Sequence, residues 1–253
     1  MEKSSSAGYN GNTMDIWQSK LFEQIPWLFH ATSTKGFGSL RYPNQDETTD
    51  PWQSARENFY QEIGIEPKNV VMSGNIHGNK VIKVSFNEAG RRVQGYDGLI
   101  TNEIGLALVV KTADCLPLFF VDQKNKIIGL IHAGWKGVAA NIAAEAVEEF
   151  KKLGSNPSEL LVAIGPSIKK CHYDISQERT KEMTGWEKYL TEKNGKFFAD
   201  LQAAVVDELL AAGVARENID ADPPCTMCEP EKYFSYHSSG KFEDSLLSII
   251  VMR

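Results

Sequence analysis

KTADCLPLFFVDQKNKIIGLIHAGWKG, residues Lys111 to Gly137, decides the fold. Two strand-like apolar runs, Leu116–Val121 and Lys126–His132, flank a polar turn, and a third, Leu106–Lys111, leads into them. Such runs, rich in β-branched and apolar residues and punctuated by Asp, Asn and Gly, read as buried strands. Upstream, Asn69–Met72 and Lys80–Ser85 have the same character, and downstream so do Leu160–Ile164 and Ser248–Met252. The helical period enters at Gly137–Leu153, where Val138, Ile142, Val147 and Phe150 share a face, the glutamates lie opposite and Gly154 ends the pattern. Asp200–Ala212 repeats it with Leu201, Val205 and Leu209, closed by Gly213. A first helix is expected after Asp50-Pro51, read as a cap and a first helical position, with Trp52, Ala55, Phe59 and Ile63 in register. Strands dominate early and mix with helices late, which predicts an α/β (α+β) sandwich with a mixed sheet rather than regular βαβ alternation.

No repeat, low-complexity tract or linker interrupts the chain after residue 15, so residues 15–253 are expected to form a single domain behind a flexible polar segment, 1–14. That segment has no apolar core of a secretory signal. No apolar run reaches the roughly 20 residues of a spanning helix; Ile104–Val121 comes nearest and is broken by Lys111 and Asp114. The net charge of −6 argues against a nucleic-acid binder, which needs a basic surface. Four Cys among 253 residues make no disulfide scaffold, so a reducing cytoplasm is the expected setting.

Nine residues of Cys and His are therefore the informative ones: Cys115, Cys171, Cys225, Cys228, His30, His77, His132, His172 and His237. Cys115 and His132 sit at strand termini, where open sheets present ligands. His77 lies in a turn, NIHGNK. Two His and one Cys suit Zn²⁺ with a vacant fourth position, the catalytic type of zinc site. A nucleophile–base pair of Cys115 with His132 is a rival for the same residues. In HAGWKG, Gly134 and Gly137 would let the backbone approach a ligand, and the following helix start beside Lys136 would favour an anion such as phosphate. Asp114, next to Cys115, and Asp97, in GYDGLIT, are candidates for proton transfer or for orienting a histidine. Cys225-Thr-Met-Cys228 has metal or redox spacing, but it lies between Pro223-Pro224 and Glu229-Pro230 and is read as packed loop thiols.

Together VQGYDGLITNE (93–103), KTADCLPLFFVD (111–122), GLIHAGWKG (129–137), AIGPSIKKCHYDI (163–175) and CTMCEPEKYFSYH (225–237) resemble the YfiH/YlmD family, also called the laccase-domain or polyphenol-oxidase family, from about residue 25 to the C-terminus. The resemblance implies a three-layer α/β fold like the catalytic domain of cytotoxic necrotizing factor toxins. It implies zinc held by His77, Cys115 and His132. It also implies phosphorolysis of purine nucleosides (adenosine, inosine, 5′-methylthioadenosine) and deamination of adenosine. The alternatives are a copper-dependent polyphenol oxidase, which five histidines and no Met between Cys115 and His132 disfavour, and a catalytically weak metal-binding module. The chain departs from the family pattern at Gly38–Asn44, at Asn75-Ile76-His77, at His237–Gly240 in place of an arginine pair, and at Phe242–Ser245.

Overall fold

The computed structural model of the chain describes residues 15–43, 48–240 and 244–253. The proposed N-terminal segment 1–14, Asn44 and Phe242 lie outside the described residues. In chain order the elements are β1 (Ile16–Trp17), β2 (Leu28–Ser33), α1 (Gln53–Glu62), β3 (Val70–Ser73), β4 (Val81–Lys83), β5 (Arg92–Val93), β6 (Gly98–Thr101), β7 (Ala107–Thr112), β8 (Leu116–Asp122) and β9 (Ile127–Ala133). There follow α2 (Trp135–Ala139), α3 (Ile142–Lys152), β10 (Leu161–Ile164), β11 (Asp174–Ile175), α4 (Gln177–Glu182), β12 (Leu190–Lys193), β13 (Lys196–Ala199), α5 (Leu201–Ala211), β14 (Ile219–Asp220), α6 (Tyr236–Ser239) and β15 (Leu246–Met252).

The expected mixed α/β single domain is present, and its β layer is itself double. One six-stranded sheet runs β1-β2-β15-β7-β3-β5, the other β14-β10-β8-β9-β6-β4, and both mix parallel with antiparallel pairs. Alternation along the strands explains the stacking. Leu108 and Val110 of β7 meet Phe119 and Val121 of β8 and Leu130 of β9 between the sheets. The intervening residues turn outward: Ala107 and Val109 toward α1, Leu118, Phe120 and Ile131 toward α3 and α5. A strand apolar on both faces is what such a position requires, and this is why β8 and β9 read as unbroken apolar runs. A third, three-stranded sheet, β11-β13-β12, caps the α5 side.

Two helices differ from expectation. α1 starts at Gln53 with no side-chain cap, because the Asp50 carboxylate is taken by the Arg56 guanidinium instead. The helix expected over 137–153 is two: α2 ends at Ala139, Asn141 adopts a left-handed φ of 60°, and α3 begins at Ile142. Its apolar face holds as expected, with Ile142, Val147 and Phe150 fully buried. The N–H groups at the start of α3 do not face the HAGWKG turn. That of Ala143 donates to the Glu208 carboxylate of α5 at 3.0 Å.

Candidate metal centre and its flanking clefts

Strand register assembles the first cluster. In the β8–β9 pair Pro117 lies opposite His132 and Leu116 opposite Ala133, so Cys115, one residue ahead of β8, comes to rest beside Gly134. In the β6–β9 pair Gly98 lies opposite Ile131, and the His132 N–H donates to the Asp97 carbonyl at 2.7 Å. Parallel pairing of β4 with β6 then brings the β3–β4 loop, with His77, over the same end. The donor atoms of His77, Cys115 and His132 all fall within 4.8 Å of one another, with Cys115 Sγ 3.8 Å from His77 Nε2. The two imidazoles meet edge to face, with centroids 4.9 Å apart.

Asp97 is the fully buried centre of this arrangement. One carboxylate oxygen receives His132 Nδ1 at 2.8 Å and the His77 N–H at 2.9 Å; the other receives the Gly78 N–H at 2.8 Å. Those bonds hold His77 at a left-handed φ of 62°, a conformation that costs a non-glycine residue energy and has to be over-determined by its surroundings. They also fix the His132 tautomer and leave its Nε2 for the cluster. The glycines of HAGWKG serve the same packing. A Cβ on Gly134 would stand 2.6 Å from His77 Cδ2, and one on Gly137 would stand 2.7 Å from the Gly78 carbonyl. The close approach is therefore to the histidine loop, not to a ligand.

The charges are coupled. Burial opposes the Cys115 thiolate, but the His132 charge beside it, with hydrogen bonds from His132 and His77, brings the thiol down to about 6. Burial likewise opposes a charged His132, yet the Cys115 charge and the Asp97 hydrogen bond raise it to about 9. Burial would raise Asp97, but the His132 hydrogen bond and charge and the two backbone N–H groups hold it below the usual carboxylate value. Each group favours the charged form of the other, Cys115 toward thiolate and His132 toward imidazolium, with His77 alongside. Two nitrogens and a thiolate converging with an oriented histidine form a donor set that fits zinc with a position left open.

Two clefts of about 260 Å³ each flank the cluster and share His77, Ala113 and Cys115. One is polar, lined by Arg41, Asn75, Lys111, His132 and Asp244. The other is aromatic, lined by Trp135, Tyr173 and Tyr236 with Arg179 and His237. A larger cavity, about 380 Å³, lies elsewhere, against Tyr42, Arg56 and Tyr60, and carries no His or Cys.

The remaining candidates are placed as follows. Asp114 is buried at φ 89° beside Cys115, and its carboxylate accepts from Thr226 Oγ1 (2.6 Å), Ser235 Oγ (3.0 Å) and the His237 N–H (2.7 Å). Lys136 is exposed, its Nζ 5.5 Å from the Trp135 ring centroid, and lines neither cleft. His237, at the departure from the family's arginine pair, pairs with Asp174 at 2.5 Å. Arg41, Lys111, Tyr173 and Arg179 were not singled out from the sequence. Arg41 does fall inside the Gly38–Asn44 segment that departs from the family pattern, and Lys111 directly precedes TADC.

A double mixed-sheet α/β fold carries, at the mouth of its strands, a His/Cys group that could hold a metal ion. The chain belongs to the family described as multi-copper polyphenol oxidoreductase laccase, whose family model matches residues 32–253. It is 30% identical over 244 residues to purine nucleoside phosphorylase YlmD of Geobacillus stearothermophilus, covering 88% of each chain. It is also 30% identical over 199 residues to adenosine deaminase RL5 of an unknown prokaryotic organism, covering 74% of this chain and 76% of that one. The crystal structure of YlmD from Geobacillus stearothermophilus superposes with a TM-score of 0.82 at 27% identity, over 93% of this chain and 94% of that one. Among the described residues no helix is long and apolar enough to cross a membrane.

Proposed function

We propose that the chain is a zinc-dependent purine nucleoside phosphorylase that also deaminates adenosine. The observation that carries this is the placement of a three-donor cluster between a polar cleft bearing two cations and an aromatic cleft. The names of the relatives support the same chemistry. His77, Cys115 and His132 would hold the zinc, which when bound supplies Lewis acidity toward an oxygen ligand. Trp135, Tyr173 and Tyr236 offer ring faces to a purine, and Arg41 and Lys111 offer charge to phosphate. Phosphorolysis then forms a bond from a phosphate oxygen to the ribose anomeric carbon as the bond to the base breaks; the base leaves with that electron pair and takes up a proton. Deamination adds water at the amino-bearing purine carbon and expels ammonia.

Within this reading Asp97 and Asp114 are positioning residues. Asp97 fixes His77 and His132, and Asp114, satisfied by three donors, pins the segment around Thr226–His237 against the Cys115 turn. A multicopper oxidase needs more histidines than the fold provides. Outside the first cluster, His30 is buried and accepts the Ser19 N–H, His237 is paired with Asp174, and His172 lies among three cysteines. The test is chromatography of adenosine incubated with pure, zinc-loaded protein. Adenine and ribose 1-phosphate are expected with phosphate present, and inosine without it. No product above blank, or stoichiometric copper with phenol oxidation, would overturn the assignment.

A further inference from the structure

The CxxC turn does not stand alone in space. Cys171 Sγ lies 3.7 Å from Cys225 Sγ and 3.7 Å from Cys228 Sγ. His172 Nδ1 lies 3.7 Å from Cys225 Sγ and 3.5 Å from Cys228 Sγ. All four donor atoms fall within 4.8 Å of one another. A tetrahedral zinc with bonds of about 2.3 Å to sulfur and 2.0–2.1 Å to nitrogen has S···S edges near 3.8 Å and S···N edges near 3.6 Å. The four recorded edges match that figure.

Backbone bonds build the cradle independently of the side chains. Ser167 and Cys225 form a parallel bridge, with the Ser167 N–H donating to the Pro224 carbonyl and the Thr226 N–H to the Ser167 carbonyl. The N–H groups of Cys228 and Glu229 both turn back to the Cys225 carbonyl, and those of His172 and Tyr173 both turn back to the Lys169 carbonyl. Two tight turns thus present two donors each to one point. We infer that Cys171, His172, Cys225 and Cys228 form a second metal site, a closed structural zinc site distinct from the open three-donor cluster. Four protein donors leave no position for substrate, which is the mark of a structural centre. A redox pair would employ two of the thiols and leave the third thiol and the His172 nitrogen aimed at them without a role. The ion would fasten the 165–173 loop to the 224–229 loop. Those loops carry Tyr173 of the aromatic cleft and Thr226, the partner of Asp114.

Metal content per chain is the test, read by elemental analysis of protein purified with zinc and dialysed. Wild type is expected to carry two zinc, His132→Ala one, Cys228→Ser one, and the double variant none. If the proposed catalytic zinc is wrong and this site is right, wild type carries one zinc that His132→Ala keeps and Cys228→Ser loses. Full zinc retention in Cys228→Ser and in a Cys171→Ser, Cys225→Ser double variant would overturn the inference. Should those variants fail to fold, folded His132→Ala protein decides. Mercurial titration is expected to release one zinc as three thiols react, and cobalt substitution to give the charge-transfer bands of a thiolate-rich tetrahedral site. A zinc-free His132→Ala protein with two of its four thiols already oxidised would overturn it in favour of a disulfide clamp.

Discussion

The two His/Cys clusters are built from the same side chains and differ in everything around them. The first draws one donor each from a loop, a strand entry and a strand, spread over residues 77 to 132, and sits where two clefts meet. The second draws two donors from each of two turns and touches solvent through Cys171 and Cys228. In the first, a buried carboxylate orients the donors; in the second, backbone turns do. Three oriented donors beside open volume favour exchange of a fourth ligand, whereas four donors with no opening favour permanence. Donor count and the surrounding hydrogen bonds, rather than residue type, separate a proposed reaction centre from a proposed clasp.

The largest expected effect separates the clusters at their supports. Asp97→Asn removes the charge that orients His132 while leaving a side chain of the same size. A partner of this kind typically contributes about 10–100-fold in metal affinity or activity. Zinc affinity and phosphorolysis are expected to fall together in that range, with the Cys171 cluster's metal untouched. An unchanged affinity would mean that Asp97 serves only the His77 loop. Gly134→Ala comes next. Its Cβ would stand 2.6 Å from His77 Cδ2, so His77 has to move. Overpacking of this kind costs about 1–3 kcal/mol. Lower zinc affinity at the first cluster alone is expected, and wild-type affinity would show that the β3–β4 loop shifts freely.

Much of this geometry was legible in the sequence, and for physical reasons. β8 and β9 announce themselves because a strand buried on both faces has to be apolar throughout, and Cys115 and His132 mark their ends. The break at Asn141 was hidden, because its neighbours keep the helical period on either side. His30 carried no pattern. Its partners, Trp17, Phe22 and Phe119, come from a paired strand, a turn and the facing sheet, and burial there lowers it to about 4. The Cys225–Cys228 spacing was visible, but its partners lie more than fifty residues upstream. The Ser167–Cys225 bridge brings Cys171 and His172 to it. Convergence over such separations is a property of topology, and no local propensity encodes it.

A titration at a residue belonging to neither cluster sets the baseline against which their pH responses are read. Burial raises Glu208 to about 8, against the pull of the Ala143 and Ala144 N–H groups. Its folded pKa lies above its unfolded one, near 4.5. Its contribution is therefore complete below that value and declines as pH rises toward 8. Glu208→Gln is expected to flatten the decline, gaining on the order of 1 kcal/mol at pH 8, or roughly 2–4 °C in Tm for a chain of this size. Equal Tm profiles from pH 5 to 8 would place the wild-type pH dependence in the clusters instead.

A coupling experiment tests whether the clusters are separate at all. Thr226 lies inside the CxxC turn, yet its hydroxyl donates to Asp114, the residue before Cys115. Thr226→Val keeps the shape and removes that donor, while Ser235 and the His237 N–H still satisfy the other carboxylate oxygen. Leaving a buried acceptor short of a partner costs about 1–3 kcal/mol. Both metal contents are expected to stay at wild-type levels while phosphorolysis falls several-fold through a displaced Cys115 turn. The decisive reading is the combination with Cys228→Ser. If the second cluster acts on the first through Thr226, the double variant loses less than the sum of the singles, because both cut the same connection. Additivity within about 0.3–0.5 kcal/mol would mean that the two sites share a fold and nothing else.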